Sequence, residues 1–191
     1  MGTYRLQTGD VAARNFGYYS EQEFDFAPYE RMRGEIVELG RACIHRDHRS
    51  SEVLNLLWKG IARYVLGVGG RYMMGCCSLP SVDEAEGYGV YASLTHYMVG
   101  PELMTVATEG YRLRVIERDG DPAHVSEARH GAPSSVAEPK APKLLRAYLT
   151  IGAKICSEPA IDREFKTIDF LTLLDLQTLH PRVARRFLDG C

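Results

Sequence analysis

The sequence predicts an α/β fold in a single domain, residues 1–191. Two observations carry that reading. Short apolar runs suited to strands alternate with stretches whose apolar residues recur at helical spacing. Glycines and prolines mark the boundaries between them.

Each element follows in chain order. Gly2–Leu6 (GTYRL) reads as a strand; it begins at once, without a preceding cap or turn, so this end reads as cut. Residues 7–34 are polar and aromatic without clear periodicity, giving a loop with a short helix at Ser20–Phe24. Residues 35–45 (EIVELGRACIH) form a strand with Gly40 in its middle, a sign of a bulge or of close approach by a ligand. The polar turn HRDHRSS leads to a helix over 52–66. Leu54, Leu57, Trp58, Ile61 and Val65 share one of its faces, Ser51 is its N-cap, and Gly67, Gly69 and Gly70 end it.

Residues 71–79 (RYMMGCCSL) make a second buried strand, closed by Pro80; its adjacent Cys76 and Cys77 point to opposite faces. A helix is expected over 85–99, ended by Gly100-Pro101. A strand is expected over 105–117, where Tyr111, Leu113 and Val115 alternate. Residues 118–139 are rich in Pro, Gly and Ser and read as a long mobile loop. Pro142 occupies the first turn of a helix running to about Cys156. Residues 165–176 (FKTIDFLTLLDL) are a strand, and His180-Pro181 opens a short last helix. No segment repeats another.

Composition narrows the function. The 191 residues are 45% hydrophobic and 25% charged, average for a globular fold, which excludes disorder, collagen and a disulfide miniprotein. Twenty-three Lys and Arg against 25 Asp and Glu give a net charge of −2, which offers no general attraction to nucleic acid. No apolar run reaches the ~18–20 residues of a membrane span. Leu6 breaks the myristoylation pattern that Gly2 would open. Five cysteines, an odd number without a CxxC pair, read as reduced thiols of a cytoplasmic protein.

The densest chemistry lies in Glu38–Arg49, a carboxylate, three arginines and two histidines at a strand end and the turn into a helix. Such junctions in α/β sheets bind ligands, and a helix N-terminus offers free N–H groups to a phosphate. Glu38, an acid in an apolar strand, is a candidate general base; its bland alternative is a structural ion pair. On an unbroken pleat Arg41 points away from Glu38, and a bulge at Gly40 would bring the two nearer. His45 and His48 lack a third ligand nearby, so no metal site is expected. Trp58, Cys76 and Cys77 read as core packing. Arg185 and Arg186 read as a solvated helix face, or else as a contact for an acidic partner.

Taken together, Glu38-Leu-Gly-Arg-Ala-Cys-Ile-His-Arg-Asp-His-Arg49, the Trp58 helix and Arg71-Tyr-Met-Met-Gly-Cys-Cys-Ser-Leu-Pro80 resemble a branch of the GNAT acyltransferase superfamily. That branch holds ornithine N-acyltransferases and long-chain N-acyl amino acid synthases, with acyl-homoserine lactone synthases as more distant relatives. Gly2–Leu6, Pro142–Ala153 and Glu158–Leu176 resemble it too, so the likeness covers the chain outside 118–139.

The resemblance implies a central mixed β-sheet flanked by helices. It implies transfer of a long-chain acyl group from acyl carrier protein to an amino acid's α-amine, giving an N-acyl amino acid or a lyso-ornithine lipid. Glu38 then takes the base role, and Arg41 binds the acceptor carboxylate or orients Glu38. Backbone N–H groups near Cys43–His45 polarise the thioester carbonyl. Arg46, Arg49, Ser50 and Ser51 hold the phosphopantetheine phosphate. Tyr18, Glu21 and Asp25 fall on the acceptor-side loop. A lipid product implies peripheral membrane contact at the inner face.

In coenzyme A-dependent members the turn reads [RQ]xxGx[GA]. Here Arg49 and Ser51 stand where the glycines belong, leaving less room for backbone to wrap a pyrophosphate, which favours a carrier-protein donor over coenzyme A. Members of the family also carry a strand and helices before the GTYRL strand, so the resemblance implies an N-terminally truncated domain. The alternatives are a coenzyme A-dependent acetyltransferase of a small amine and an inactive fragment that binds carrier protein or lipid.

Overall fold

The computed structural model describes residues 2–114 and 140–188. The loop expected at 118–139, and residues 115–117 of the strand expected before it, lie outside the described residues.

Six strands form one mixed sheet: β1 (Gly2–Thr8), β2 (Ile36–Ile44), β3 (Tyr72–Leu79), β4 (Lys154–Ile155), β5 (Ala160–Asp162) and β6 (Thr167–Asp175). Their order is β1-β2-β3-β6-β4, with β5 also against β6. Only β2 and β3 run parallel; the other pairs are antiparallel. Strand β6 has neighbours on both edges and is buried from Ile168 to Leu174, which is why its sequence is almost continuously apolar.

The helices are α1 (Gly9–Ala13), α2 (Ser51–Gly67), α3 (Glu84–Ser93), α4 (Lys143–Thr150) and α5 (Pro181–Leu188). Period-two alternation sorts the sheet residues onto two faces. Val37, Met73 and Leu174 meet α2 and α5 through Trp58, Ile61, Val65 and Phe187. Further along that face, Cys77, Leu79, Ile168 and Phe170 meet α3 and α4. On the opposite face Ile36, Met74, Leu171 and Leu173 are covered by Tyr18, Phe24, Phe26 and Tyr29 of the segment between β1 and β2. Trp58 is core, as its helical stripe implies.

Several expected boundaries move. Ser50, rather than Ser51, caps α2: its hydroxyl accepts from the Val53 N–H at 3.3 Å. The expected helix over 85–99 stops at Ser93 and continues only as a 3₁₀ turn, Thr95–Tyr97. The helix expected to reach Cys156 ends at Thr150, because Gly152 takes φ 111° and turns the chain into β4. Among the described residues of 105–117 there is no strand; isolated bridges from Thr105, Ala107 and Arg112 flank a 3₁₀ turn at Glu109–Tyr111. The short helix expected at Ser20–Phe24 is a 3₁₀ turn over Tyr19–Gln22, and a longer 3₁₀ stretch covers Ala27–Glu35.

Candidate active site at the fork of the sheet

The parallel pair β2–β3 holds register only from Ile36–Tyr72 to Glu38–Met74. Beyond it the strands part: β2 stays with β1, and β3 stays with β6 along its whole length. Gly75 lets the two backbones lie close at the start of the fork, since a Cβ there would stand 2.2 Å from the Leu39 carbonyl oxygen. Past the fork, among the described residues, no strand pairs with the facing edges of β2 and β3. An extended ligand carrying amides can pair there as a strand would.

A cavity of about 70 Å³ occupies the fork. Its walls combine Gly40, Arg41 and Ala42 of β2 with Tyr4, Trp58, Tyr148 and Leu174 from the helix-covered face, and it reaches Met74 and Cys76. The aromatic wall is pinned: Tyr4 and Tyr148 share a hydrogen bond of 2.9 Å, and the Trp58 and Tyr148 rings meet edge to face at 5.1 Å.

The bulge foreseen at Gly40 falls one residue on. Thr3 pairs with Cys43 and Arg5 with Gly40, so Arg41 and Ala42 together oppose Tyr4. Arg41 sits at φ 54°, a conformation that non-glycine residues adopt at a cost. The bulge does not give Glu38 its partner. The Arg41 guanidinium lies over the Phe165 ring at 5.6 Å, whereas Arg5 approaches Glu38 at 3.4 Å.

Glu38 is 2% exposed. Its Oε2 accepts from the Tyr19 N–H at 2.9 Å, and its Oε1 accepts from the Ser20 N–H at 2.8 Å and the Ser20 hydroxyl at 2.5 Å. Arg5 Nη2 is a fourth donor. The side chain therefore joins the mouth of the fork to the loop that covers the face opposite the helices. Sequence reading missed these partners. The one signal was Gly40, whose missing side chain leaves room for the Arg5 guanidinium 3.0 Å from where a Cβ would be.

The other expected site residues divide into two groups. At the far end of β2, Cys43 is exposed and free. The His45 ring accepts from the Asp47 N–H at 3.4 Å, Arg46 lies 3.6 Å from Asp47, and Arg49 Nε donates to the Ile44 carbonyl at 3.1 Å. Ser50 and Ser51 start α2, whose N-terminal N–H groups point toward this basic turn. On the covering loop, Tyr18 is buried and its hydroxyl reaches the carbonyls of Arg33 and Ile36 at 2.8 and 2.9 Å. Glu21 accepts from the Tyr18 N–H and from Arg33 at 2.6 Å. Asp25 is exposed and caps the Ala27 N–H at 2.9 Å. The structure thus brings Glu38 together with the backbone of the covering loop, while Glu21 and Asp25 serve the loop's own turns.

Burial keeps the thiols on β3 in their protonated, poorly nucleophilic form. Burial raises Cys77 to about 12, and burial followed by the Glu23 charge holds Cys76 well above the ordinary thiol range.

Comparison with known proteins finds relatives by sequence. The acetyltransferase (GNAT) domain family matches residues 1–59, the stretch that carries β1, β2 and the start of α2. That match covers under a third of the chain. Similarity to ornithine N-acyltransferases runs along nearly its whole length. The L-ornithine N(alpha)-acyltransferase of Rhodobacter capsulatus is 29% identical over 194 residues, which cover 100% of this chain and 71% of that protein. Those of Agrobacterium fabrum and Rhizobium meliloti are 31% and 30% identical, each over 95% of this chain and 60% of their own length. The chain thus spans about three fifths of the latter two. No solved structure matches it. No helix of the described residues is long and apolar enough to cross a membrane.

Proposed function

We propose that the protein moves a long-chain acyl group from acyl carrier protein to the α-amine of an ornithine-like amino acid. The observation that carries this reading is the fork. A cavity and two strand edges without a strand partner lie where β2, having passed the buried Glu38, runs on to the basic turn and the start of α2, in a chain similar throughout to ornithine acyltransferases.

The thioester donor enters the fork extended, with its phosphate at Arg46, Arg49 and the start of α2 and its acyl chain toward Trp58 and Tyr148. Its carbonyl lies near the bulged backbone, where N–H groups of β2 that face no strand stabilise the oxyanion. The amine approaches from the Glu38 side. A C–N bond forms, the C–S bond breaks, Glu38 takes the amine proton directly or through water, and the thiol leaves protonated. Arg41, exposed beside the fork, takes the acceptor carboxylate. The product is a lyso-ornithine lipid or another N-acyl amino acid, and its release brings the protein to a membrane surface. Coenzyme A-dependent acetylation is the rival reaction, and a carrier-binding fragment without turnover is the other.

The experiment offers the purified chain palmitoyl carrier protein or palmitoyl coenzyme A with ornithine, and detects N-acyl product by mass. Product from the carrier protein at ten or more times the coenzyme A rate is expected. Product from coenzyme A alone favours the rival, and no product from either removes the catalytic reading for this chain.

Glu38 has a second role that its contacts favour. It anchors Tyr19 and Ser20, so it positions the acceptor-side loop as well as serving the proton transfer.

A further inference from the structure

Beyond Glu38, the loop-covered face holds three more buried acids. Glu23, Asp162 and Asp169 are 2, 4 and 3% exposed, and each offers an oxygen within 4.8 Å of the others. Asp162 is committed to the turn after β5, where its Oδ1 accepts from the N–H groups of Glu164 and Phe165 at 2.8 and 2.9 Å. Asp169 accepts from the Thr167 hydroxyl at 3.0 Å through Oδ2. Glu23 Oε2 and Asp169 Oδ1, both fully buried, have no hydrogen-bond partner. No lysine, arginine or histidine pairs with any of the three among the described residues. Buried like charges without a counter-charge are costly, and buried orphan acceptors add to that cost. A fold that keeps such a group is short of a cation with N–H donors.

The cluster lies in line with Glu38. In the ladder, Glu38 stands opposite Met74, and Ser78 stands opposite Asp169. Met74, Cys76 and Ser78 share one face of β3, and Glu23 is within hydrogen-bond reach of the Cys76 thiol. One step of that face is about 7 Å. Measured along the strands, Glu23 therefore sits about one step from the level of Glu38, and the two charges act on one another; the alkyl chain between the two amines of ornithine is of the same order. Tyr19 and Tyr111, both half-buried, neighbour the same acids.

We propose that Glu23, Asp162 and Asp169 form a subsite for the side-chain ammonium of the amino acid acceptor, with Glu38 at its α-amine. The assignment rests on the N-acyltransferase reading and names what selects the substrate. The ammonium would supply three N–H donors to the three facing carboxyl groups, including the two oxygens that now lack one, and would neutralise one charge. An acceptor with a neutral alkyl side chain would leave those groups as they are.

The test uses the full chain with L-ornithine and L-norvaline, the same backbone with and without the terminal ammonium. Calorimetry is expected to show ornithine binding at least about tenfold tighter, and kcat/KM with acyl carrier protein is expected to follow the same order. Glu23→Gln and Asp169→Asn are expected to collapse that ratio toward one. Equal binding of the two amino acids by the unsubstituted protein overturns the subsite without requiring any variant to fold. A ratio that survives both substitutions overturns it as well. Magnesium or calcium that raises the melting temperature of the parent but not of Asp169→Asn overturns the ammonium occupant in favour of a metal ion. If ornithine is selected in binding yet neither donor is consumed, the subsite stands and the acyl-transfer reading fails. If acylation proceeds with no preference for ornithine, the reverse holds.

Discussion

Glu38 and Glu23 are the same residue type on the same face of one sheet, each 2% exposed, yet their surroundings are opposite. Two backbone N–H groups, a hydroxyl and a guanidinium aim at Glu38. Two aspartates aim at Glu23, and one of its oxygens has no donor at all. Burial together with the Asp169 and Asp162 charges pushes Glu23 up to about 8. Depth in the core does not decide what a carboxylate does; its neighbours do. The first is held in place by four donors, as the proposed base requires. The second has an oxygen open to a donor, as the proposed ammonium subsite requires.

One substitution, Glu→Gln, sharpens that contrast because its effect should change sign between the two positions. At Glu38 it has the largest expected effect. The amide nitrogen cannot accept, so whichever way the side chain turns it faces an N–H donor of Tyr19 or Ser20. Turnover should fall by about 10²–10⁴, and stability by about 1–3 kcal/mol, read by steady-state rates and thermal melts. A full rate in Glu38→Gln would remove Glu38 from the proton transfer.

At Glu23 the same change should stabilise. An unfolded chain gives up the Glu23 proton near 4.5, the folded one near 8. Between those values the folded state holds a proton that the unfolded state lacks, so stability falls as pH rises across the window and levels off above it. Glutamine removes that dependence and can donate to Asp169. Melting at about pH 8 should rise by a few degrees and at about pH 5 change little. A lower melting temperature at pH 8 would mean that the acids already have a counter-charge, and the contrast with Glu38 would lapse. Ser20→Ala comes next, at about 1 kcal/mol. It removes one donor to Glu38 and leaves the two backbone donors, so loss of most of the turnover would show that the hydroxyl, rather than the N–H pair, holds the carboxylate.

The scaffold was legible in the sequence where periodicity was strong. The strands at 35–45, 71–79 and 165–176 and the Trp58 helix lie where their patterns put them, because each buries one or both faces against the core. The strands Lys154–Ile155 and Ala160–Asp162 were not legible, being two and three residues long and held mainly by pairing with β6. Glu38 stood out as an acid in an apolar strand. Glu23 and Asp162 did not, because each sits in a polar stretch that reads as surface; Asp169, like Glu38 an acid in an apolar strand, carried the same signal and was passed over. Only the pairing of β5 with β6, and the loop folded over them, buries the three together. The partner of Glu38 was misjudged for a related reason. Counting along β2 pointed to Arg41, but the cross-strand neighbour of Gly40 is Arg5, and pairing register is not written within one strand.

Arg5 gives the smallest expected effect and the finest test. Its Nη2 is 3.4 Å from Glu38 Oε2, farther than the Tyr19 N–H, and the side chain is 37% exposed. Its guanidinium also lies over the Tyr19 ring at 5.2 Å, which holds it flat against the loop. A partly solvated pair of this length contributes under about 1 kcal/mol. The backbone donors remain when it is removed, so Arg5→Met should lower the melting temperature only slightly and keep most of the turnover. Fixed in place by Tyr19 and Ser20, Glu38 needs the arginine for charge rather than for position. If Arg5→Met instead costs as much as Glu38→Gln, the difference between the two glutamates rests on one arginine and not on the loop backbone. In that case, moving a positive charge next to Glu23, as in Cys76→Lys, should make Glu23 behave as Glu38 does.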